Sequence, residues 1–121
     1  MKRKEDYPIF DKSYQLSIEI FHETMKFPKS QRYVIAQRLQ DASLGFIEEI
    51  TLGFTSADKI SALNKASDYL ERLRILTRVT LDLNFWSFKS YERINVKINE
   101  VGKMLGGWMK KARGQAENFR L

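Results

Sequence analysis

An all-α chain folded as an antiparallel up-down four-helix bundle is what three features of this sequence predict. Apolar residues recur at three- and four-residue spacing through most of its length, no segment alternates as a half-buried strand does, and both prolines fall in the first quarter. Helices joined by turns of only a few residues pack most simply when each runs back along its neighbour. The 121 residues, 43% of them hydrophobic and 12% aromatic, suffice for one domain with a real core. The helices are expected over about residues 8–25, 28–52, 56–83 and 88–112, with short termini outside them.

The first helix opens at Pro8, and its Phe10, Tyr14, Ile18, Phe21 and Met25 share a face that is read as the core stripe. Pro28 fixes the restart, because the residue before a proline disfavours helical angles and proline itself suits a first turn. The second helix carries Ile35, Leu39, Ala42, Phe46 and Ile50 on one stripe and is expected to end at Gly53, a left-handed cap. "TSAD", Thr55 to Asp58, reads as a capping box for the third helix, whose core stripe passes through Tyr69, Leu73, Leu76 and Thr80. After "LNFWSF", Ser87 is the N-cap expected for the fourth helix. There Tyr91, Ile94, Ile98, Val101, Leu105 and Trp108 step by three and four residues and form a heptad seam.

That seam runs straight through three glycines, each costing an interior helix about 1 kcal/mol relative to alanine. Gly102 and Gly106 fall beside the seam one turn apart, which predicts close approach of a neighbouring helix. Gly107 falls nearly opposite, on a basic face with Lys89, Arg93, Lys103, Lys110 and Lys111. Either a second subunit or a ligand backbone approaches it there, or the residue is merely tolerated. On the third helix, Ile75, Val79 and Leu83 form a second apolar row turned away from the core stripe. A monomeric bundle has no inward use for it, so an oligomer with this row in the contact is expected.

The formal charge of +6 lies wholly in the second half, since residues 1–60 carry 9 basic and 9 acidic side chains and residues 61–121 carry 12 and 6. Cation rows Arg74 with Arg78, and Lys89, Arg93 with Lys97, could track phosphates, and Lys110, Lys111 and Arg113 end the last helix. Positive charge there also stabilises the helix dipole in its own right. No tight-turned helix pair with base-reading side chains is found, so any binding to RNA or DNA should depend weakly on sequence.

Catalytic, cofactor and metal chemistry find no support. Cysteine is absent, which removes disulfides, thiol nucleophiles and thiolate metal sites and fits a reducing cytoplasm. His22, the only histidine, follows Glu19 by three residues, but di-iron bundles need two such pairs and further carboxylates. The acids Asp41, Glu48 and Glu49 lack a partner for acid and base work, and "GKMLGGW" lies inside a helix rather than in a phosphate-cradling loop. The start "MKRKEDYPIFDK" has no signal-peptide pattern and no segment is apolar enough to span a bilayer, so a cytoplasmic protein is expected.

Two stretches, "FPKSQRYVIAQRLQDASLGFIEEI" (residues 27–50) and "DLNFWSFKSYERINVKINEVGKMLGGWMK" (residues 82–110), resemble the accessory variability determinant (Avd) of diversity-generating retroelements, within a four-helix-bundle group that includes the ribosomal RNA intervening-sequence proteins. The most specific piece is Glu100 to Trp108, with its double glycine before tryptophan. The resemblance implies a ring-like homopentamer that binds nucleic acid and the element's reverse transcriptase and assists mutagenic copying without catalysing it. It brings no catalytic residues. The alternative is a structural or protein-binding bundle of the intervening-sequence type. "KRKED" and "QAENFRL" at the ends match nothing in either group.

Overall fold

The computed structural model describes residues 6–119 and is helical almost throughout them. Its long elements are α1 (Pro8–Thr24), α2 (Gln37–Thr55), α3 (Lys59–Asp82) and α4 (Phe88–Phe119), with a 3₁₀ turn at Lys29–Gln31 and a π turn at Arg32–Ala36 leading into α2. Both α1 and α3 pack on α2 and on α4, so α1 and α3 occupy one diagonal of a square bundle. Neighbours are antiparallel: Ser17 meets Ser43 at 3.2 Å while Gln40 donates to Thr24 at 2.9 Å, and Arg74 reaches Asn99 while Arg113 reaches Asn64.

The core is largely aliphatic, with Leu16, Ile20, Leu39, Phe46, Ile50, Leu63, Leu73, Ile94, Ile98 and Val101 fully buried. Burying each such side chain contributes about 1.5–3 kcal/mol. The seam of α4 is buried as its spacing predicts, with Tyr91 and Trp108 packed at its edges, and it continues through the glycines. Ser87 Oγ accepts from the Ser90 N–H at 3.1 Å and caps α4. The α3–α4 turn closes on Asn84, at φ 61°, a left-handed angle that asparagine tolerates. Around it the N–H of Phe85 donates to the Thr80 carbonyl at 3.1 Å and that of Asn84 to Leu81 at 2.9 Å, which is the Schellman pattern.

Several expectations are corrected. The α1 stripe is out of phase: Tyr14, Ile18 and Met25 are 53%, 43% and 65% exposed, and the inward positions are Ile9, Ser13, Leu16, Ser17, Ile20 and Thr24. Serines can sit inward because their hydroxyls are satisfied locally, Ser13 donating to the Ile9 carbonyl at 2.6 Å and Ser17 pairing with Ser43. Periodicity counts apolar residues and so chose the richer, outer row.

On α2 the entry is irregular rather than a regular helix from Pro28, and the helix runs past Gly53 to Thr55. Gly53 is buried within α2, where an added Cβ would lie 2.8 Å from Trp108 and 2.9 Å from Leu63, and Gly45 faces the Tyr69 ring in the same way. The capping box at Thr55 does not form. Instead Asp58 alone caps α3, accepting from the Ser61 N–H at 3.1 Å. On α3 the inward line is Leu63, Ala66, Leu70, Leu73, Thr77 and Thr80, with Tyr69 and Leu76 at its flank. Finally, α4 runs on through Gly114 to Phe119 rather than stopping near 112, with no proline to interrupt it.

Of the α4 glycines, only Gly102 makes a close approach, a Cβ there falling 2.5 Å from the Arg74 guanidinium and 3.4 Å from Leu70. Gly106 does not: nothing lies within 4 Å of its Cβ position, and the expected second close approach is wrong. Gly107 is likewise open.

Candidate nucleic-acid interface

A cation holds a phosphate most readily when no carboxylate already occupies it. The row Lys89, Arg93 and Lys97 meets this test poorly. Arg93 Nε donates to Glu19, Arg93 donates a second bond to Glu23 at 2.7 Å, and Lys97 lies 3.2 Å from Glu19. Lys12 with Glu100 at 3.4 Å continues this α1–α4 seam. The hydrogen bond to Glu19, with the charges of Glu19 and Glu23, holds the Arg93 pKa above the usual arginine value. Glu23 is buried, so Arg93 and Lys26 are what satisfy its carboxylate. Arg93 and Lys97 staple helices together; within the expected row, Lys89 alone has no carboxylate within 4 Å among the described residues.

The α3 row is also engaged. Arg74 donates to Asn99 at 2.7 Å and lies 3.3 Å from Glu71, while Arg78 pairs with Asp82 at 3.4 Å. Both pairs are at least partly solvated, where an ion pair contributes little and a phosphate can compete.

The end of α4 differs. Lys103, Lys110 and Lys111 are exposed with no carboxylate within 4 Å among the described residues, and Arg113 donates only to the neutral Asn64, at 3.2 Å. That bond brings the start of α3 alongside, adding exposed Lys59 and Lys65. The molecule thus has, among the described residues, a cluster of unpaired cations at the end where α1 and α3 begin and α2 and α4 finish, while exposed Lys29, Arg38 and Lys89 stand at the opposite end. Reading along the chain missed Lys59 and Lys65, since only antiparallel pairing of α3 with α4 joins them to residues 110–113.

Two apolar faces point outward. Ile75 is 61% exposed and Leu83 49%, with Val79 half-buried between them. The second is the outer row of α1, Tyr14, Ile18 and Met25, which continues over Phe21 into a groove against Tyr33 and Leu44 of the α2 side. His22 is exposed, and Glu19 is engaged by Arg93 and Lys97. Among the described residues there is no cluster of three His, Cys, Asp or Glu able to hold a metal, and no helix long and apolar enough to cross a membrane.

A family model described as bAvd-like matches residues 9–112, which is nearly the whole bundle. The chain belongs to the bAvd-like family. Family and fold together make it an accessory-type helical bundle. Among solved structures, it is similar to a protein of unknown function from the S23 ribosomal protein family of Bacteroides thetaiotaomicron, with a TM-score of 0.78 and 20% identity. The match covers 84% of this chain and 95% of that one, and at this identity it speaks for the fold alone. No curated protein matches the chain. The bAvd-like match ends at 112, so the last turns of α4, with Arg113, lie beyond it.

Proposed function

We propose that this bAvd-like chain is a non-catalytic accessory protein of a diversity-generating retroelement, acting as a homo-oligomer that binds RNA or DNA and a reverse transcriptase. The family match over residues 9–112 carries this reading. The basic end formed by Lys59, Lys65, Lys110, Lys111 and Arg113 supports a polyanionic partner, through phosphates and with little regard to base sequence.

Assembly is supported by the two outward apolar faces, which lie on α1 and α3, helices diagonal to one another. A head-to-tail ring needs two different, complementary patches on each subunit, and a pentamer is such a ring. Light scattering at micromolar concentration should therefore give a multiple of 14.3 kDa, with Tyr14→Glu and Ile75→Glu each reducing it. Mixing the two variants should restore pairs, since each retains the face that the other variant disables. A monodisperse mass near 14.3 kDa for the unaltered chain refutes assembly.

For the partner, co-expression with a reverse transcriptase encoded beside its gene should give a complex that survives size exclusion. The second reading, a protein-interaction bundle without appreciable nucleic-acid affinity, is favoured by one observation: Arg93 and Lys97 are committed to Glu19 and Glu23. Lack of binding to single-stranded RNA or duplex DNA at low salt selects it.

A further inference from the structure

The basic end holds a cavity of about 540 Å³, within the range of small-ligand pockets. Its walls come from all four helices: Tyr7 and Ile9 at the start of α1, Phe54 at the end of α2, Lys59 at the start of α3, and Trp108 and Lys111 on α4. Three of these form an aromatic ladder, with ring centroids 5.0 Å apart for Tyr7 and Phe54 and 4.5 Å apart for Phe54 and Trp108. Lys59 and Lys111 flank it, and neither has a carboxylate within 4 Å among the described residues; the nearby Asp58 is occupied in capping α3. Gly107 also lines the cavity, and its bare backbone keeps one side open. Moreover, α1 begins here with Pro8 and no side-chain cap, and Asp11 in its first turn offsets part of the positive end of its dipole.

We propose that this cavity binds one unpaired nucleotide of a single-stranded nucleic acid, the base against the Tyr7–Phe54–Trp108 ladder and the phosphates on Lys59 and Lys111. The inference rests on the nucleic-acid reading above and adds the strandedness of the ligand. An apolar side chain of a protein would use the ladder alone and leave the two exposed lysines without an anion, whereas a nucleotide engages both. A duplex cannot enter, because its bases are already stacked on one another. It also accounts for Gly107, which no packing within the chain requires.

The test uses the full chain with a fluorescent thymidylate oligonucleotide of about twelve nucleotides and a duplex of equal length, by anisotropy at low salt. The single strand should bind roughly tenfold tighter or more, and it should move the Trp108 indole N–H resonance. Gly107→Leu, at an exposed helical position, should retain helicity and duplex binding but abolish the single-strand preference. Lys59→Gln with Lys111→Gln should weaken the single strand about tenfold. Equal binding of both forms, or a preference untouched by Gly107→Leu, overturns this inference and leaves the proposed function standing. No binding of either form overturns both. A Trp108 resonance that responds to an acidic aromatic peptide and not to the oligonucleotide assigns the cavity to a protein partner and overturns the nucleotide.

Discussion

Replacing Gly53 by alanine should destabilise the bundle even though alanine is the better helix former. Two effects oppose each other. Removing a glycine from a helix interior is worth about 1 kcal/mol. Against it, the new Cβ would stand 2.8 Å from Trp108 and 2.9 Å from Leu63, closer than carbon atoms tolerate. Neither neighbour is a loose end, since Leu63 is fully buried and Trp108 is held against the Phe54 ring. Overpacking of this kind costs about 1–3 kcal/mol, so the net destabilisation is about 1 kcal/mol, or a Tm lower by about 4 °C for a chain of this size. Gly106→Ala is the matched control, because nothing lies within 4 Å of its Cβ position and only the propensity gain remains. It should raise Tm by up to about 4 °C. Urea and thermal denaturation followed by circular dichroism, at equal protomer concentration, measure both. Changes of the same sign at the two sites would refute the assignment of Gly53 as a glycine that packing requires.

Other substitutions probe the turn and the charges. Asn84→Val forces a β-branched residue into a left-handed angle and should cost about 1–2 kcal/mol by urea denaturation, while Asn84→Gly should cost nothing. Arg93→Gln and Glu19→Gln should each lower Tm and show coupling in a double-mutant cycle, without changing the salt dependence of nucleic-acid binding. Lys110→Gln with Lys111→Gln should do the reverse, leaving stability nearly unchanged and flattening the log-log salt slope by roughly 0.7–0.9 for each phosphate no longer neutralised.

How legible each part was depended on where its determinant lay. The seam of α4 and the Ser87 cap were legible because heptad spacing and an N-cap are local signals. The close-packed glycines Gly45 and Gly53 were not, because their cause is a side chain from another helix: they answer to Tyr69, Leu63 and Trp108. The ion pairs of Arg93 and Lys97 were hidden for the same reason. Arg93 and Lys97 look free along α4 and become occupied only when antiparallel packing brings Glu19 and Glu23 across from α1. The basic end, conversely, assembles only in three dimensions.

The misreading of α1 is itself informative about assembly. A helix that needed only to pack into its own bundle would gain by placing Tyr14, Ile18 and Met25 inside and serines outside, yet α1 does the opposite. Ser13, Ser17 and Thr24 are each at most 6% exposed, and their hydroxyls bond to a carbonyl or to another hydroxyl, so the inward face costs little to keep polar. Small inward residues also let α1 sit close to α2. What they do not explain is the outer row, which in a lone bundle would leave a tyrosine, an isoleucine and a methionine largely in water. Ile75 and Leu83 on α3 pose the same problem from the diagonal position. Charge on either face would have been the ordinary way to keep a small bundle apart from its copies. Instead Lys59, Lys65, Lys110 and Lys111 stand together at one end and the aliphatic and aromatic residues on two sides, a division that suits subunits joined side to side with these ends left open.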